Sequence, residues 1–194
     1  MNRLLAALAL VVALFGLTGC GYNEMQTNDE AVKAAWGNVE ATLQRRLDLI
    51  PNLVETVKGY ASHEKDTLTA VTEARAKATQ IKLTPETLAD PKAMAAFQQA
   101  QGQMQSALSR LLAVAENYPQ LKADQNFRDL QHQLEGTENR INVARQRYNE
   151  AVQIYNSSIR TFPNSMTNSM LLHLAPKEYY KADDAAQQAP KVKF

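Results

Sequence analysis

From Asp29 onward, apolar residues return every three or four positions: Val32, Trp36, Val39, Leu43, Leu47, Ile50, Val54 and Val57. That spacing predicts a helix with one apolar face. Asn28 or Asp29 caps its start. Pro51 lies inside it and removes the amide that would bond the Leu47 carbonyl, so a kink is expected there. Lys58-Gly59 signals a stop. Ser62 caps a second stripe, Leu68, Val71, Ala74 and Ala78, with Glu64 and Asp66 in its first turn. The loop "IKLTPETLADPKA" offers two cap-plus-proline starts, Thr84-Pro85 and Asp90-Pro91. The second opens a helix with Met94, Phe97, Met104, Leu108, Leu111 and Ala115, ending before Pro119.

The fourth stripe is the most regular. Phe127, Leu130, Leu134, Thr137, Ile141, Ala144, Tyr148, Ala151, Tyr155, Ser158 and Phe162 follow a seven-residue repeat, which predicts a coiled-coil-like seam. Such a seam is core packing rather than a cofactor box. Pro163 closes it, and residues 164–194 read as a mostly irregular tail with an apolar patch at 170–174.

Periodicity stays in phase through Gly59, so it does not distinguish one helix from two. Length does. Two helices give levels rising to about 30 residues, falling to about 11, climbing to about 38 and returning over about 39. Every stripe then has a neighbour along its length. The predicted fold is all-α, an antiparallel up-and-down four-helix bundle with long coiled-coil-like helices. In it "RRLDLIPN" (45–52) and "EGTENRIN" (135–142) stand at one height on the first and fourth helices. Arg45 or Arg46 should pair with Glu135 or Glu138. Asn52, Asn139 and Asn142 should help satisfy the backbone freed by Pro51. Such a network fixes helix register; the functional alternative is a ligand site in mid-bundle.

The N-terminus carries different information. Arg3 precedes the apolar run "LLAALALVVALFG". The run is short of the ~20 residues that span a bilayer and resembles an export signal. It ends in Leu17-Thr18-Gly19-Cys20, with the chain's one cysteine, and that tetrapeptide resembles a bacterial lipobox. The resemblance implies cleavage after Gly19, diacylglycerol on the Cys20 sulfur and an acyl chain such as palmitate on the new amine. A thioether leaves the lone thiol needing no partner, and each buried methylene adds about 0.8 kcal/mol of membrane affinity. The alternative is an uncleaved membrane helix. Gly21, where inner-membrane lipoproteins usually carry aspartate, leans towards the outer membrane, periplasmic side. The chain thus divides into a signal peptide (1–19), a polar tether (20–28), a helical bundle (29–163) and a tail (164–194).

Composition narrows the remainder. With 21 basic and 20 acidic residues and no basic cluster, nucleic acid is not an expected partner. One cysteine excludes a thiolate metal cluster. His63, His132 and His173 fall in separate segments. Glu-x-x-His, HExxH, GxSxG, Walker A and CxxCH patterns are absent, so no cofactor, metal or catalytic residue is expected. The glutamine-rich 98–105 reads as a polar helix face. Tyr179 and Tyr180 either dock on a partner or cover the bundle end.

Several segments resemble one family. "YNEM" after the apolar run, "AAWGNVEATLQRRLDLIPNLVETVKGYASHE" (34–64), "EARAKA" (73–78), residues 107–163 with "EGTENRI", and the terminal "VKF" are similar to the LemA family. The resemblance implies an antiparallel helical bundle on the outer side of a membrane and supplies no catalytic residues or cofactor. Many members keep an uncleaved membrane helix; here a lipobox stands in that place. The resulting expectation is a non-enzymatic lipoprotein, a scaffold for an envelope protein partner. A ligand-binding or sensory accessory using the mid-bundle network is the alternative, and a hydrolase with an unfamiliar site ranks last.

Overall fold

A computed structural model describes the backbone of residues 2–181 and the side chains of residues 21–181. Every regular element among the described residues is helical. Helix α1 spans Asn2–Tyr60, α2 Lys65–Gln80, α3 Pro91–Ala115, α4 Pro119–Ala123, α5 Gln125–Ser158 and α6 Asn164–Thr167. A 3₁₀ turn at Thr87–Ala89 precedes α3, and a π turn at Asn168–Leu172 follows α6.

The stops and starts follow local chemistry. The chain breaks between α1 and α2 at 61–64, while Gly59 itself stays helical. Ser62 does not cap α2; Glu64 holds the N-cap position without a side-chain bond. Asp90 accepts from the Lys92 amide and Pro91 fills the first position of α3, where its missing N–H costs nothing. Asp124 accepts from the Phe127 amide at 2.9 Å and so starts α5. Pro119 starts the short helix α4 rather than merely ending α3.

Three boundaries differ from the sequence reading. Residues 20–28 are not a loose tether but part of α1, because Met25, Asp29, Val32 and Trp36 extend the buried stripe in steps of three and four. The seam of α5 drifts: Val152 and Ile159 are buried, Ala151 is only half-buried, and Phe162 lies outside the helix, exposed. A helix of 3.6 residues per turn rotates by about 20° per heptad against a strict seven-residue repeat. In α1, Leu53 is fully buried and Val54 is half-buried against the same cluster. The tail from His173 to Lys181 lacks regular structure but is docked, with Tyr180 buried.

Two apolar clusters form the core. One joins the 47–61 half of α1 to α2, the later part of α3, α4 and the start of α5. The other joins the 25–43 half of α1 to Leu83, Leu88, the start of α3, the 141–159 half of α5 and Tyr180. Here Trp36 packs edge-on against Phe97 and Tyr148, with ring centroids 5.3 and 5.2 Å apart.

Helix α1 runs on through Pro51. The Leu47 carbonyl that Pro51 orphans accepts from Arg75 Nε of α2 at 3.0 Å. Asn52, Asn139 and Asn142, assigned that role from sequence, are exposed; an asparagine side chain is too short to reach the carbonyl that a long arginine reaches from α2. Arg75→Ala should therefore destabilise the fold by about 1–2 kcal/mol. In a Pro51→Ala background, where residue 51 supplies its own amide, the cost should shrink. Chemical denaturation of the four chains of this cycle measures the difference.

Candidate functional site

Between the two clusters lies a polar layer. It is centred on Arg46, which α1 turns inward between Leu43 and Leu47 and which is only 1% exposed. Its Nη1 donates to Glu138 Oε2 of α5 and to Gln105 Oε1 of α3, both at 3.2 Å, and Nη2 donates to Gln101 Oε1 at 2.6 Å. Thr137, also buried, turns its hydroxyl back to the Gln133 carbonyl. Burial lowers the arginine's affinity for its proton, and the Glu138 carboxylate restores part of it. A guanidinium stays charged even so. Nε has no acceptor among the described residues.

Of the residues singled out from sequence, the structure brings Arg46 and Glu138 together. Arg45, Asn52, Asn139 and Asn142 face solvent. Glu135 is exposed too, beside Gln131 and within 3.6 Å of His132. Cys20 lies outside the described side chains. Sequence reasoning missed Gln101 and Gln105. The signal was present: Phe97, Gln101, Met104 and Leu108 are spaced by four, three and four, so Gln101 belongs to the buried stripe and not to a polar outer face.

A second constellation holds the tail. Asn156 donates to the Lys177 carbonyl (3.0 Å) and accepts from its amide (2.8 Å); Asn149 does the same for Tyr180, both at 2.8 Å. Tyr148 and Tyr155 hydroxyls donate to the Glu178 and Ala175 carbonyls. Burial pushes the Tyr155 phenol up to about 12, with the Asp29 charge adding to it, so it remains a donor at ordinary pH. Lys177 pairs with Asp29 at 3.3 Å, and Arg145 stacks over the Tyr180 ring at 4.3 Å while donating to its hydroxyl. Burial raises the Asp29 pKa, but Lys33 and Lys177 outweigh it and leave the carboxyl below its ordinary value.

A groove of about 330 Å³ between α1, α2 and α3 touches the polar layer only at Gln101, and its other walls include Leu43, Leu47, Phe97 and Lys82. No group of three or more His, Cys, Asp or Glu side chains that could hold a metal ion occurs among the described residues. His63, His132 and His173 are exposed.

The profile of the LemA family matches residues 35–194. The chain belongs to the LemA family. The match to LemA takes in the whole polar layer and both clamping asparagines, and it begins beyond Cys20. A search of curated proteins finds no match.

Glu138→Ala should leave Arg46 with neutral partners alone and cost about 2 kcal/mol, a fall in melting temperature of about 4–8 °C. An unchanged melting temperature would remove the layer from the list of stabilising contacts. Asp29 should add stability above its unfolded value of 3.8 that is lost as pH falls through its lower folded value. The melting-temperature gap between wild type and Asp29→Asn should therefore be full at neutral pH and close in acid.

Proposed function

We propose that this LemA protein is a non-enzymatic, lipid-anchored scaffold of the cell envelope. Its α1, α2, α3 and α5 form an antiparallel up-and-down four-helix bundle. The observation that carries the anchoring is the tetrapeptide Leu17-Thr18-Gly19-Cys20, which ends the apolar run and holds the chain's one cysteine. The bundle topology is supported by the core clusters, in which the early half of α1 meets the late half of α5 and the late half of α1 meets the start of α5. Lipid on Cys20 would hold the bundle on the periplasmic side of the outer membrane, Gly21 offering no retention signal.

The polar layer serves register. Arg46 is engaged by side chains of its own chain, and Glu138 is absent from the walls of the adjoining groove. A second reading, a ligand-binding or sensory accessory, is favoured by that groove's reach to Gln101.

Mass spectrometry of protein purified from a lipoprotein-processing bacterium should find residues 1–19 absent and Cys20 carrying diacylglycerol and an N-acyl chain. An intact N-terminus with a free thiol overturns the anchor. Proximity labelling from the anchored chain in intact cells should enrich a defined envelope protein over an unrelated lipoprotein. Equal labelling overturns the scaffold.

A further inference from the structure

The base of the packed body is inverted. The long helices bury mainly apolar side chains. Across α6 and the π turn, the buried residues are Asn164 and Thr167, while Met166 (54% exposed), Met170 (73%) and Leu171 (66%) face outward. Phe162, just before α6, is 79% exposed. These side chains cannot turn inward as a group, because the segment is fixed. Asn164 donates to Glu24 at 3.0 Å, and a Cβ on Gly21 would collide with the Asn164 side chain, so α6 lies directly against the α1 backbone at Gly21. Asn168 donates to the Leu174 carbonyl at 3.1 Å and accepts from its amide at 2.8 Å, and His173 reverses the chain at φ 50°.

Height along the molecule names the occupant. Gly21 marks the level of α6, and Cys20 with the apolar run 4–17 is contiguous with it along α1. Tyr22, 43% exposed, sits at the same level. We propose that Phe162, Met166, Met170 and Leu171 form a membrane-docking surface that inserts into the headgroup–acyl boundary of the bilayer holding the chain. An exposed apolar patch of this kind marks an interaction site, and apolar side chains gain by burial at that boundary. The proposal rests on the membrane anchoring proposed above. It adds that the body leans on the lipid through its base and does not hang free on a tether.

The test uses the full chain from a lipoprotein-processing host, reconstituted into phosphatidylethanolamine–phosphatidylglycerol vesicles. Met170→Trp and, as a second variant, Phe162→Trp report the base; Val143→Trp on α5 reports the body. Wild type supplies the background of the buried Trp36, and circular dichroism checks each fold. Vesicle flotation reads anchoring by itself. Tryptophan at 170 or 162 should emit to the blue and lose most of its intensity to lipids brominated near the headgroup, whereas tryptophan at 143 should answer only to acrylamide. Water-like emission at 170 and 162 from chains that float overturns the docking surface and leaves the anchor standing. Protection from both quenchers means a second copy covers the patch and also overturns it. Failure to float overturns both readings.

Discussion

A guanidinium kept from water does not give up its proton, so the protein has to bring oxygen to it. At Arg46 the oxygens come from α3 and α5, at Gln101, Gln105 and Glu138. Aliphatic side chains alone leave packed helices free to settle in more than one register, since one leucine substitutes for another. A planar fork with three acceptors does not. Moving α3 by one residue would swing Gln101 through about 100° and leave a donor bare. The layer lies between the two apolar clusters, so each cluster is aligned by the same side chains that separate it from the other.

The same demand for partners explains α1. A proline in mid-helix leaves one carbonyl without its amide and usually bends the helix. Arg75 fills that role from the neighbouring helix, and α1 continues for nine further residues to Tyr60. Two arginines therefore tie α1 to α2, α3 and α5 through polar contacts.

How much of this could be read from residues alone depends on range. The stripes of α2 and α3, the cap at Asp90 and a break close to Gly59 are local features, and they were legible; the cap at Asp124 was not read. The facing of 45–52 and 135–142 was legible too, because helix lengths set their heights; which arginine meets which glutamate was left open, and the structure pairs Arg46 with Glu138. The role of Arg75 was not legible, since its partner lies 28 positions away and nothing in its own neighbourhood points there; Gln101 stood in the buried stripe of α3, but its partner, 55 positions away, did not show. The seam of α5 was read as a strict heptad, and its error accumulates with distance until Phe162 falls outside the core. Tail docking was the least visible. Asparagine on a helix surface reads as solvated, and its complement here is backbone, which every sequence has in common.

That complement has a lasting effect. Asn149 and Asn156 are separated by two helical turns, about 10.5 Å. Lys177 and Tyr180 are separated by three extended residues, about 10 Å. The two rulers coincide, so the clamps engage the strand like teeth on a rack. Since they grip only main-chain atoms, the side chains between the grips, Glu178 and Tyr179, are released from any duty in holding the strand down. Evolution can therefore rewrite those two letters, and with them whatever the outer edge of the molecule displays, without loosening the fastening underneath.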